Sequence, residues 1–306
     1  MSRGLMLFHR DFQGYTGGHG KVWDYFNHAI ALGWDARVHL APGSLRDTHN
    51  PWMSMPGRIE PAWRPERAAV LFLAGMDWLA LPPGTPVAAP VVNLVQHVRH
   101  ADSDLPWRAF LARPATRVCV SEAVAGAIQA TGEVNGPVHV IPAALDLPAG
   151  VGAGKERAEE VFIGALKDPA LGQALAAALE AQGHSVCLAT QWMPRQDYLQ
   201  ALARCAVAVP LPHPAEGFFL PGLEAMALGT PVVMPACGGS RQYARPGLNC
   251  LMPAPTVDAL AAAVGELLHS PQLRAQLVAE GQRTAAGHGR GGERAAFARV
   301  LEEVAP

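Results

Sequence analysis

The sequence predicts an α/β protein of two Rossmann-like, parallel-sheet domains facing a central cleft. Three observations predict it. Short apolar runs alternate with stretches whose apolar residues recur at helical spacing. The alternation breaks once, where residues 146–160 (DLPAGVGAGKERAEE) turn to Gly, Ala, Pro and charge. Beyond that break the alternation restarts. Strands joined by helices imply parallel sheets, and ligands of such sheets bind beyond the carboxyl ends of the strands. The expected division is 1–146, a linker at 147–160, a second domain at 161–288, and a closing helical segment at 289–306.

Residues 5–9 form the first expected strand, followed by a loop at 10–18. A helix over 19–32 follows from Val22, Phe26, Ala29 and Ile30, and Gly33 stops it. A second strand is expected at 36–40. Residues 41–67, rich in Pro, Arg and Trp, lack a period and are expected to be a long loop with little regular structure. Strands are expected at 69–74, 91–95, 117–120 and 138–141. In the second half the expected order is strand 161–164, helix 169–182, strand 185–189, helix 196–205 and strand 207–211. A short helix at 223–228, a strand at 231–234 and helices at 256–268, 271–286 and 291–304 complete it.

The chain has 306 residues, enough for two full cores, and its net charge of −2 gives no reason to expect nucleic acid. The five cysteines (Cys119, Cys187, Cys205, Cys237, Cys250) form no CxxC pair and are expected to be buried free thiols. The first residues carry too short an apolar run for a signal peptide, and no stretch approaches membrane-spanning length, so a cytoplasmic protein is expected. Arg58, Arg64 and Arg67 offer a peripheral membrane contact, but Glu60 and Glu66 interleave them, which favours a solvated loop. Six of the seven Trp precede residue 108; they suit either packing or stacking on a glycan.

The most informative stretch is residues 214–230, PAEGFFLPGLEAMALGT. It predicts a tight glycine loop between a buried strand and a helix. Glu216 stands in the loop, and Glu224 is expected in the first helical turn, with Pro221 at the first helical position. Loop amides and a helix N-terminus favour a phosphate, and a carboxylate accepts two hydrogen bonds from a sugar diol. The expected ligand is a nucleotide-sugar.

These residues resemble the retaining glycosyltransferases of family 4, which have the GT-B fold. EGFFLPGLEAMALGTPVV (Glu216 to Val233) fits the family pattern E-G-F-x-L-P-x-L-E-A-M-A-x-G-T-P-V-V, and Gly238–Gly239 and GLN (Gly247 to Asn249) follow in order. TGGHGKV (Thr16 to Val22), RVCVSEAV (Arg117 to Val124) and VIPAALD (Val140 to Asp146) resemble earlier family segments. The resemblance implies that Glu216 contacts donor-sugar hydroxyls, that Glu224 holds the ribose diol, and that the amides of Gly217, Phe218, Phe219 and Leu220 line the sugar and diphosphate. It implies that a glycine loop at Gly17 and Gly18 approaches the phosphates or the acceptor. It gives His97 a place near the reacting sugar, with Gln96 and His100 as alternatives. It further implies that the donor is a nucleoside-diphosphate sugar, the acceptor a glycan or small molecule, that no metal or other cofactor is required, and that the closing helix crosses back onto the first domain.

The chain departs from the pattern where the family carries an Arg and, five residues on, a Lys against the diphosphate. Ala165 and Ala170 stand at those positions. Lys167 is the candidate replacement, with Arg195 and Arg241 behind it. Gln242 occupies the place of the Glu in G-G-x-x-E, and the stretch from Val161 to Glu216 is one βα unit shorter than the pattern. Two rivals stay open beside a transferase: a nucleotide-sugar 2-epimerase on the same fold, and a non-catalytic nucleotide-sugar or glycan binder.

Overall fold

The computed structural model describes residues 3–305 except 86, 149, 153–157 and 159, so part of the expected linker lies outside the described residues. The chain divides into two compact units, Met1–Ala143 with Gly291–Pro306, and Ala144–Arg290.

The first unit starts with β1 (Leu5–Arg10), α1 (Gly17–Ala31) and β2 (Asp35–Leu40). The helix begins earlier than its apolar period suggests, because the Thr16 side chain caps the amide of His19. Gly17 and Gly18 therefore occupy the first helical turn rather than a loop. Residues 41–67 are also more regular than expected. They hold three 3-10 turns and a two-residue strand, β3 (Ile59–Glu60), which prolongs the sheet edge beside β2. Here Arg58 and Arg37 pair with Asp35, and Arg37 also with Glu60.

β4 (Val70–Ala74), β5 (Val91–Val95), β6 (Thr116–Cys119), α2 (Glu122–Gln129) and β7 (Val138–Val140) complete the unit's run of strands. The sheet order is β3-β2-β1-β4-β5-β6-β7, and every pairing is parallel. Its central strands β4 and β5 are buried throughout, as in a sheet covered on both faces, whereas β2 nearer the edge alternates. One face packs Phe8 on Phe72 at 4.6 Å and edge-on to Phe26 at 5.2 Å.

The second unit comprises β8 (Glu160–Gly164), α3 (Pro169–Ala181), β9 (Ser185–Ala189), α4 (Arg195–Arg204), β10 (Val207–Pro210), α5 (Leu220–Ala227), α6 (Val257–His269) and α7 (Pro271–Ala286). The strand order is β10-β8-β9, again parallel. The strand expected at 231–234 is reduced to bridges, Ala208 to Val232 and Val233 to Leu251, which extend the ladder beyond β10. Pro231 and Pro235 bound this segment and cannot donate to a ladder, which limits its pairing. Leu175, Leu179, Val207, Val209, Leu260 and Val264 form one core layer, and Phe162, Leu199, Leu223, Met226 and Met234 form the other.

The chain closes with α8 (Arg290–Val304), whose residues from Gly291 belong to the first unit. Phe297 meets Tyr25 edge-on at 4.8 Å. Glu293, 4% exposed, takes Lys21 Nζ at 2.7 Å and His28 Nε2 at 2.8 Å, and Lys21 also reaches Asp24 at 2.8 Å. Charges this deeply buried persist only as a mutually satisfied group. All five cysteines are free; four are buried and Cys187 is half-buried.

Candidate functional site

In the second unit β8 leads through α3 to β9 on one side, and β9 leads back through α4 to β10 on the other side of β8. The chain thus switches direction between β8 and β10, and the crevice beyond their carboxyl ends is the expected ligand position. Lys167 follows β8 and Glu216 follows β10. Their side chains meet at 3.6 Å, with Lys167 55% and Glu216 16% exposed.

The backbone of the Glu216 loop is fixed from below. Glu216 N donates to the carbonyl of His213 at 3.1 Å, and Gly238 N donates to that of Pro214 at 3.3 Å. Gly239 lies so close that a Cβ there would stand 2.6 Å from both N and Cα of Phe218. This position needs glycine for close approach. Tyr243 donates its hydroxyl to the Phe219 carbonyl at 2.5 Å. Gly217 and Phe219 are buried, and Phe218 and Leu220 half-buried. Phe219, which precedes α5, has no capping side chain, Pro221 has no N–H and the Leu223 amide faces the Tyr243 hydroxyl, so the amides of Leu220 and Gly222 are the ones without a side-chain cap at that helix start.

Two expectations about α5 are corrected. The helix starts at Leu220, so Pro221 is its second residue and Glu224 its fifth. Gly222 makes the earlier start feasible by letting the helix sit on Met234 and Tyr243, where a Cβ would clash at 2.6 Å. Glu224 is consequently buried, at 2% exposure, and its Oε1 accepts from Arg195 Nη1 at 2.6 Å. Arg195 Nη2 also donates to the Asp146 carbonyl at 2.8 Å. Arg195 opens α4, where the helix dipole opposes a cation. An Arg at a helix start, against that preference, was the one available sequence signal of its pairing with Glu224. Beside this pair, burial first and then the charge of Glu224 push the Tyr198 phenol well up, which keeps it protonated.

The missing basic pair has a physical explanation. Ala165 is fully buried, and a Cβ on Gly172 would lie 2.2 Å from the Cβ of Ala165. Helix α3 packs Gly172 directly on Ala165, so Ala165 is a packing residue. Ala170 is exposed on the first turn of α3, which Asp168 caps through Leu171 N. Arg241 is exposed, and its side chain makes no ion pair among the described residues.

The other expected site residues lie in the first unit. Gly18 accepts through its carbonyl from Gln96 Nε2 at 3.2 Å. His97 caps a 3-10 turn, its Nδ1 accepting from Arg99 N at 3.0 Å. His100 is buried beside Trp107, and burial brings its pKa down to about 4. Among the described residues no group of three or more His, Cys, Asp or Glu is placed to hold a metal ion, and no helix is long and apolar enough to cross a membrane.

A family model described as "Glycosyl transferases group 1" matches residues 122–284, more than half of the chain. Over 91 residues the chain is 39% identical to MMP alpha-(1->4)-mannosyltransferase of Mycolicibacterium hassiacum, a stretch covering 29% of this chain and 22% of that protein. It is 41% identical over 91 residues to D-inositol 3-phosphate glycosyltransferase of Frankia alni, covering 28% of this chain and 21% of the relative. The matched stretch thus spans about a fifth of these curated relatives. Among solved structures, sucrose-phosphate synthase from Thermosynechococcus elongatus superposes with a TM-score of 0.75 at 14% identity over 98% of each chain. Anabaena Alr3699/HepE in complex with UDP and glucose gives 0.75 at 15% identity, over 98% of this chain and 100% of that one.

Proposed function

The chain belongs to the glycosyl transferases group 1 family and has the GT-B fold, and from that premise we propose that it transfers a sugar from a nucleoside-diphosphate sugar to a glycan or small-molecule acceptor. The observation that carries this reading is the switch point of the second unit. An exposed ammonium, a loop carboxylate and an uncapped helix start stand there together, and a buried carboxylate lies one turn further along the same helix.

In this reading Glu224 receives the ribose diol, and Arg195 keeps that carboxylate oriented. The amides from Gly217 to Leu220 and the start of α5 receive the diphosphate, where the leaving group gains negative charge. Lys167 supplies the mobile cation, and Glu216 binds hydroxyls of the transferred sugar. His97, Gly17 and Gly18 serve the acceptor side, and Arg241 is a peripheral helper. Retention of configuration and membership of family 4 belong to the same proposal, and the chemistry needs no metal because the diphosphate is already a good leaving group. The related Anabaena Alr3699/HepE structure is a complex with UDP and glucose, which supports a nucleotide-sugar donor here.

The test is a thermal-shift screen of UDP, GDP, ADP and dTDP, since a ligand of the native state raises its melting temperature. One nucleotide is expected to stabilise wild type, with the shift lost in Glu224→Ala and kept in Glu216→Ala, whose defect is in turnover. Stabilisation by none of them rejects the reading. Product analysis separates transfer from epimerisation, which needs no acceptor.

A further inference from the structure

The first unit has a switch point of its own. β1 is flanked by β2 and β4, so the crevice of that sheet opens beyond the carboxyl ends of β1 and β4. Arg10 ends β1, and Asp77 lies three residues past β4. Arg10 Nη1 donates to Asp77 Oδ2 at 2.5 Å, and the same oxygen accepts from Ala74 N at 3.0 Å. His9 Nδ1 stands 3.7 Å from the other Asp77 oxygen. Arg10 and Asp77 are 8% and 5% exposed. The second nitrogen of the guanidinium, Nη2, lies 2.8 Å from His19 Nδ1.

This geometry fixes the state of the imidazole. A guanidinium only donates, so His19 Nδ1 is the acceptor and the ring proton sits on Nε2. Burial first, and then the charge of Arg10, hold His19 at about 4, against weaker opposing pulls from Asp77 and Asp11. Its place in the first turn of α1 adds to the same preference for the neutral ring. His19 is therefore a neutral N–H donor at physiological pH. Nε2 makes no hydrogen bond among the described residues and is not sealed from solvent. A carboxylate, a guanidinium and an imidazole have been placed in series, and the last member ends at the crevice with its donor unused.

We propose that His19 is a substrate-binding residue whose Nε2–H donates a hydrogen bond to an oxygen of the acceptor, with Arg10 and Asp77 as the positioning residues that fix its tautomer. The proposal rests on the glycosyl-transfer reading given above. His19 is not the base that takes the acceptor proton, since Nε2 already carries a proton and Nδ1 is occupied. It orients the acceptor oxygen.

The test uses the full chain with its histidine rings labelled with nitrogen-15. The expected free state is the Nε2–H tautomer from pH 8 down to pH 5. Titration with methyl α-D-glucopyranoside and methyl α-D-mannopyranoside should move the His19 ring resonances for at least one of the two. Once a transferable acceptor is in hand, His19→Ala should raise its KM about tenfold, the scale of one lost hydrogen bond, at unchanged nucleotide affinity. His19→Gln, which retains an N–H donor, should recover part of that loss, a rescue that a merely structural role would not show. An Nδ1–H tautomer, a ring unmoved by both glycosides, or an unchanged acceptor KM in His19→Ala overturns the proposal. Nucleotide binding separates the two readings. If no nucleotide stabilises the protein the donor assignment fails, whereas nucleotide binding beside an unmoved His19 ring refutes this inference alone.

Discussion

The two sheets each carry a cation–carboxylate pair at their switch point, and the two pairs are built in opposite ways. In the first unit Arg10 and Asp77 meet at 2.5 Å, with side chains 9% and 5% exposed. In the second, Lys167 and Glu216 stand 3.6 Å apart, with side chains 55% and 16% exposed. The buried pair is worth little as an attraction, because desolvation offsets it, but neither partner can be removed cheaply. The open pair is screened and contributes almost nothing to folding. Its groups are for that reason free to exchange each other for a ligand. A locked pair orients a neighbour, here His19; a loose pair receives a substrate.

The largest expected effect is on the locked side. Asp77→Ala leaves Arg10 charged and uncompensated in the interior, and urea unfolding should show a loss of roughly 3–5 kcal/mol. A loss under 1 kcal/mol would break the contrast between the pairs. Next comes Ala165→Arg, which restores the family's basic residue at the end of β8. Because α3 rests on Ala165 through Gly172, overpacking should cost roughly 1–3 kcal/mol. No gain in nucleotide affinity should accompany it, and a gain would show that the position is a vacated phosphate site.

Acidification should produce a somewhat smaller effect. Burial lowers both His19 and His100 from their ordinary value of 6.5 to about 4 in the folded protein. Between those values the unfolded chain binds protons that the native chain refuses, so stability falls as pH drops from about 6.5 towards 4 and is flat with respect to these groups above that window. Lowering the pH from 7 to 5 should remove about 2 kcal/mol through the well-buried His100, with His19 adding less because it is more open. Denaturant midpoints measured across that range would check this, and His100→Phe should flatten most of the slope. The smallest effect on folding belongs to Lys167→Ala, within about 0.5 kcal/mol in the same assay. The same variant should still lower transfer at least about tenfold if the ammonium meets the diphosphate.

Much of this architecture is legible in the sequence because it is local. β5, β9 and α7 coincide with the expected residues, since Pro90, Gly183 and Pro271 mark their starts. The start of α1 was hidden by Gly17 and Gly18, which are indistinguishable from loop glycines until Thr16 caps the turn. Likewise Gly222 masked the earlier start of α5 and so displaced Glu224 from its expected turn. The carboxylates of the site are legible through the 214–230 motif, and Lys167 and Arg195 as candidate cations, but which carboxylate each cation meets is not. Arg195 lies 29 residues from Glu224, and Arg10 lies 67 from Asp77. Such pairings are created by topology, and spacing along the chain carries no trace of them. The reason for Ala165 was equally invisible, because it resides in the contact with Gly172.

The second unit enters and leaves at one place. Leu145 bridges Gly289, the Leu145 amide donates to the His288 carbonyl at 2.9 Å, and Arg290 pairs with Asp146 at 3.0 Å. Its two ends are therefore clasped side by side, as in a cassette inserted into a host chain, and the host resumes immediately at α8. Such an insert closes its own loop without help from its host. Residues 144–290 are therefore expected to tolerate excision as a module with adjoining termini, or reopening elsewhere with the ends rejoined at 145 and 289, which circular dichroism of the excised segment would check.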